Sequence, residues 1–125
     1  MNNVLEMNFI NKFIIKEKKD RLIYEFSNSK KRENALMRFS HNVESLVNNK
    51  FIKYRCNDET LNKYINVKKD LYVISLDKIN GEVCTSEEAV SHLKDQYMPV
   101  IIIGDDFVAI KSENEDTNDN IIVLK

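Results

Sequence analysis

Four side chains of this 125-residue sequence are of the types that nucleophilic or metal chemistry recruits: His41, His92, Cys56 and Cys84, its complete set of histidines and thiols. A Cys/His pair, with Asp58 or Glu59 orienting the imidazole, would form a nucleophile of the kind used in covalent catalysis. No two of the four stand at the spacing of a zinc-ligand pair, and neither cysteine belongs to a CxxC motif. The sequence therefore predicts free reduced thiols and assigns no catalytic set, no metal site and no cofactor. A small enzyme with a Cys/His site remains the third of three functional readings.

Paired carboxylates offer a second kind of chemistry. Asp105 and Asp106 in "IGDDFV" have the types that hold a cation or exchange a proton, but Gly and Asp between two apolar runs are the residues a hairpin turn selects. The acidic stretch "SENEDTNDN", with Glu113, Glu115, Asp116 and Asp119, lacks the Gly and closing Glu of a calcium loop. It reads as a solvated loop able to face a basic partner.

The third kind is electrostatic recognition. In "SKKRENALMRFSHN", Lys31, Arg38, Asn42 and Ser45 cluster opposite an apolar helical face, with His41 to one side. Lys30, Lys31 and Arg32 stand near the N-terminus of that helix, where the macrodipole disfavours positive charge by a few tenths of a kcal/mol. In "FIKYRC", Lys53 and Arg55 alternate with Phe51 and Tyr54, a pattern that suits base stacking or an edge strand. No helix-turn-helix, zinc-finger or RNP-type signature accompanies these basic residues, and a pI of about 6.1 is low for a nonspecific nucleic-acid binder.

The formal net charge of −1 hides a polarity. Through Arg55 the chain carries twelve Lys and Arg against six Asp and Glu; beyond it the balance is seven against fourteen. One end suits an acidic partner and the other a basic one, unless the two halves neutralise each other on packing. Glycine occurs twice, which argues against the glycine-rich phosphate loops of nucleotide folds. The abundance of Lys, Asn and Ile matches an AT-rich, bacterial-like composition and carries no chemistry. The first residues show no basic leader, and no apolar run reaches the ~18 residues of a membrane span, so a cytoplasmic protein without membrane contact is expected.

These residues need elements to position them. "LEMNFINKFII" places Leu5, Phe9, Ile10, Phe13 and Ile14 on one helical face. "RLIYEF" follows as a second short helix or a kinked continuation. A third helix opens at Ser29 as N-cap and runs to Val47, with Leu36, Phe39, Val43, Leu46 and Val47 within about 100° of one another on the helical wheel. "NDETLNKYI" is a weaker fourth helix.

From residue 71 the texture turns to strands: "LYVIS", a turn at Asn80–Gly81, then a helix in "TSEEAVSHLKDQY" with a Thr85/Glu88 capping box. The last third reads as an antiparallel meander with "VIII" as its doubly buried central strand and "FVAIK" beside it. The fold class expected is α+β: a helical N-terminal half packed with a small, mainly antiparallel C-terminal sheet that carries one further helix. One domain over 1–125 is expected, helical over about 1–66 and sheet-forming over about 71–125.

The leading functional expectation is a protein-binding module, such as an inhibitor or neutraliser of another protein or a regulatory subunit. Its predicted surfaces are Lys31, Arg38, His41, Asn42, Lys53 and Arg55 on the basic side and Glu113, Glu115, Asp116 and Asp119 on the acidic side. Self-association is compatible with the charge polarity. Nucleic-acid binding through the basic half is the second reading.

Overall fold

The computed structural model describes residues 3–56, 70–77, 79–95, 99–105, 107–111 and 121–125, with the side chains of 53–56 and of 94 and 95 outside the description. The helices are α1 (Asn3–Phe13), α2 (Lys16–Ser27), α3 (Arg32–His41), the single turn α4 (Val43–Leu46) and α5 (Ser86–Asp95), with a 3₁₀ turn at Asn49–Phe51. The strands are β1 (Ile52–Cys56), β2 (Leu71–Ile74), β3 (Val83–Cys84), β4 (Ile101–Ile103), β5 (Val108–Lys111) and β6 (Ile121–Leu124). They form a six-stranded sheet in the order β1-β6-β5-β4-β2-β3, every pairing antiparallel. The α+β architecture expected from the sequence is the one observed, and β4-β5-β6 is the meander.

The period-2 alternation of the strands divides the apolar residues between two layers. Tyr72, Ile74, Ile101, Ile103, Val108, Ile110, Ile122 and Leu124 pack with Phe9, Phe13, Phe26, Leu36 and Phe39 of the helices. Leu71, Val73, Ile102, Ala109, Ile121 and Val123 point the other way and pack with Ala89 and Leu93 of α5 and with Phe107. Both faces of the sheet are covered, which is why β4 and β6 are uninterrupted apolar runs in an antiparallel sheet. β1 lies at one edge, and β3 at the other with Val83 exposed.

Local chemistry sets the element ends. Ile15 adopts extended geometry (φ −61°, ψ 147°), so α2 is a separate helix rather than a kinked extension of α1. The junction is pinned by Ile15 N donating to Leu46 O at 2.9 Å, Asn48 N donating to Phe13 O at 2.8 Å, and a β-bridge between Ile14 and Val47. Ser29 is not the N-cap of α3. Asn28 organises that turn, its Oδ1 accepting from Lys30 N and its carbonyl from Lys31 N and Arg32 N, and the N-cap is Lys31, two residues later than the sequence suggested.

Nor does α3 run unbroken to Val47. The Asn42 side-chain amide donates to Arg38 O at 2.9 Å, and this competition with the backbone ends the helix at His41, although the apolar stripe resumes in α4. The Thr85/Glu88 capping box forms as expected, Glu88 N donating to Thr85 Oγ1 at 3.2 Å and Thr85 N to Glu88 Oε1 at 3.4 Å. Gly81 has φ 81° in the β2–β3 connection, the left-handed geometry that the Asn-Gly pair predicted. The fourth helix expected in "NDETLNKYI" lies outside the described residues.

The helical and sheet layers are joined by a buried ion pair. Glu6 of α1 and Arg32 of α3 are 3% and 5% exposed. The Arg32 guanidinium donates from Nη1 to Glu6 Oε1 at 2.5 Å and to Phe26 O at 2.9 Å, and from Nη2 to Glu6 Oε2 at 2.7 Å and to Asn80 Oδ1 at 2.9 Å. The Tyr72 hydroxyl, on β2, donates to Glu6 Oε2 at 2.5 Å. Ser75 N donates to the same Asn80 oxygen at 3.1 Å, which ties the β2–β3 connection into the network. Arg32 Nε is the one fully buried side-chain donor among the described residues without a partner.

Tyr72→Phe is expected to lower stability by about 2 kcal/mol, since a hydrogen bond to a charged, buried acceptor is worth ~1.5–3 kcal/mol. Urea denaturation with an unchanged m-value is the readout, and a loss below about 0.5 kcal/mol would show that the hydroxyl does not hold Glu6.

Candidate functional site

Residues 18, 21, 22 and 25 recur along α2 at i, i+3, i+4 and i+7, so Lys18, Arg21, Leu22 and Glu25 share one face. Residues 38, 42 and 45 recur at the same spacing along α3 and α4. The pinned junctions at Ile15 and Asn48 set the two faces side by side. Between them lies a cleft of about 230 Å³ lined by Lys18, Arg21, Leu22, Glu25, Arg38, Asn42, Ser45 and Leu46. Drug-sized ligands occupy ~300–1,000 Å³, so this cleft suits a single side chain.

Its charge is unbalanced. Glu25, 8% exposed, is the carboxylate of the cleft; its Oε1 accepts from Arg38 Nη2 and lies 3.3 Å from Arg21 Nε in an i, i+4 ion pair. Lys18 has no ion-pair partner among the described residues. Three cations thus face one carboxylate. Both arginines are open to solvent, at 65% for the Arg21 side chain and 39% for Arg38, so each keeps N–H groups available to an incoming acceptor. Asn42 and Ser45 are engaged locally, donating to the carbonyls of Arg38 and Asn42.

Among the residues singled out from the sequence, Arg38, Asn42 and Ser45 meet in this cleft. Lys31 does not. It is the exposed N-cap of α3 while Asn42 is its C-cap, a separation of about 16 Å at 1.5 Å per residue. His41 is exposed and does not line the cleft. Arg32, read as part of a basic run at a helix start, is interior and neutralised by Glu6, which removes the electrostatic oddity of a cation at that N-terminus.

Lys53 and Arg55 lie on the edge strand β1, whose register shifts between Ile52 and Tyr54, and their side chains are outside the described residues. Glu113, Glu115, Asp116 and Asp119 are outside the described residues altogether, as are Asp58, Glu59 and Asp106. Sequence reasoning missed Lys18, Arg21 and Glu25; the i, i+4 spacing of Arg21 and Glu25 was the available signal.

The thiol and histidine readings fare differently. Cys84, on β3, is buried, and its pKa is raised from 9.0 to about 11, by burial first and by the nearby Glu88 carboxylate second. That is the reverse of what activates a nucleophile. His92 Nδ1 lies 3.9 Å from Asp77 Oδ2. Among the described residues no three His, Cys, Asp or Glu side chains converge as a metal-ligand group, and no helix is long and apolar enough to cross a membrane. Comparison with protein-family models, with curated proteins and with solved structures gives no match.

The Cys84 shift has a pH signature. The unfolded thiol ionises first, so the stability it contributes is complete below pH 9 and is lost as pH rises toward about 11. Denaturation midpoints for the native sequence and Cys84→Ala are expected to converge over that interval; parallel curves would show an unperturbed thiol. At neutral pH, mass-resolved labelling of Cys84 is expected to run at least tenfold slower than labelling of an unstructured cysteine.

Proposed function

We propose that the chain is a protein-recognition module that engages an acidic surface of another protein through the cleft between α2 and α3–α4, as an inhibitor, neutraliser or regulatory subunit does. The carrying observation is that Lys18, Arg21 and Arg38 line one cleft whose single carboxylate, Glu25, is shared by the two arginines and able to neutralise only one positive charge. Excess positive charge in a small concave site attracts opposite charge and steers the encounter. The chain works in this reading as a single cytoplasmic domain, with the sheet and the buried ion pair as the rigid support of the helices.

Nucleic-acid binding is the second reading. The observation in its favour is Tyr24, 59% exposed on α2 and one turn from Arg21, where a ring could stack on a base. Phe39, another aromatic near the basic residues, is in the core and unable to do so. A cleft confined between two helices also suits one side chain better than a phosphate backbone, which needs a continuous basic track.

The test is recovery from host lysate at low and moderate salt, comparing the native sequence, Lys18→Glu/Arg21→Glu and Lys31→Glu. The double reversal leaves the Arg38–Glu25 pair in place and changes exposed positions, so a stability cost below about 1 kcal/mol is expected. A protein retained by the native sequence and by Lys31→Glu, and lost on the double reversal, is the expected result. Retention by all three overturns the cleft as the contact. Nucleic acid recovered at low salt alone replaces protein recognition with the second reading.

A further inference from the structure

We infer that the cleft receives a glutamate-type side chain from the partner protein, and that Glu25 is the internal carboxylate this side chain competes with for Arg21 and Arg38. The inference rests on the reading of the cleft as the recognition surface and adds the chemistry of its occupant.

Four features point to that occupant. Lys18, Arg21 and Arg38 outnumber Glu25 by two charges, so the site is cationic even with its internal pair formed. Both arginines meet Glu25 through a single shared oxygen, Oε1, and neither forms the two-oxygen fork that an arginine makes with a carboxylate when it has one to itself. In the same protein Arg32 does form that fork, on Glu6, which shows the geometry an arginine takes here when a carboxylate is its own. Finally, Leu22 and Leu46 line the cleft beside the charges. An aliphatic stem ending in a carboxylate uses both surfaces, whereas inorganic phosphate uses only the charges.

Glu25 then sets the affinity. Its charge opposes the incoming carboxylate while its oxygen occupies the arginine donors. Glu25→Gln keeps the shape and an acceptor oxygen and removes the opposing charge. Tighter binding of an acidic ligand follows, by about fivefold for one repelling charge some ångströms away under water-like screening.

The experiment is a titration of the full chain with a capped hexaglutamate peptide at low salt, followed by amide and arginine side-chain NMR, with inorganic phosphate and a thymidine oligonucleotide as parallel probes. Expected are shifts concentrated in residues 18–25 and 38–46, binding at least fivefold weaker in Arg21→Gln, and binding about fivefold tighter in Glu25→Gln. Thermal melts establish that both variants are folded. Glu25→Gln binding that is unchanged or weaker overturns the proposal, as do shifts scattered over surface lysines or phosphate binding as tightly as the peptide. A partner lost on Lys18→Glu/Arg21→Glu together with no Glu25 effect would leave protein recognition standing and remove the carboxylate exchange. A Glu25 effect without a charge-dependent partner would do the opposite.

Discussion

The bidentate pair between Glu6 and Arg32 is the constraint on which the rest of the arrangement depends. Two opposite charges in an interior cost several kcal/mol each to desolvate, and only close geometry with further hydrogen bonds offsets that cost. Here Tyr72, Phe26 and Asn80 supply those bonds, so α1, α3, the end of α2, strand β2 and the β2–β3 connection meet at one point. A purely apolar interface between helices and sheet would tolerate sliding. A fork between two named side chains does not, since a shift of an ångström or two leaves a charge buried without a partner.

The same constraint gives the cleft its shape. With α3 held at its start by Arg32, and the α1–α2 and α4–β1 junctions held by the Ile14–Val47 bridge, the faces of α2 and α3 are fixed relative to each other. Arg38 lies about two turns along the helix from Arg32, and the two arginines differ in everything except type. One is interior and forked onto a carboxylate of its own; the other is partly exposed and shares one carboxylate oxygen with Arg21. Architecture uses the first, and recognition is open to the second.

Much of the fold was legible because it rests on periodicity. The apolar stripe of α1, the Thr85/Glu88 capping box, the Asn80–Gly81 turn and the doubly buried run at 101–103 are local signals, and each is found where the spacing placed it. What was not legible depends on partners distant in sequence. Glu6 falls among Phe9, Ile10 and Phe13 on the buried face of α1, and a carboxylate there demands a cation, yet nothing local names Arg32, 26 residues away, as that cation. The basic run Lys30–Arg32 looked uniform and is not: Lys30 and Lys31 are exposed while Arg32 is interior. The cleft was half legible. Arg38, Asn42 and Ser45 share a readable helical face, but Lys18, Arg21 and Glu25 belong to another helix, and only the tertiary junctions bring the two sets together.

The division of labour between the two arginines is the claim that most needs testing, and equilibrium denaturation of Arg32→Gln beside Arg38→Gln tests it directly. A loss of about 3–5 kcal/mol is expected for Arg32→Gln, because Glu6 is left buried without its cation, and at most about 1 kcal/mol for Arg38→Gln, whose pair is partly solvated. Equal losses, or a larger one at Arg38, would contradict this: Arg32 would not be the fastening between the layers, and Arg38 would belong to the architecture.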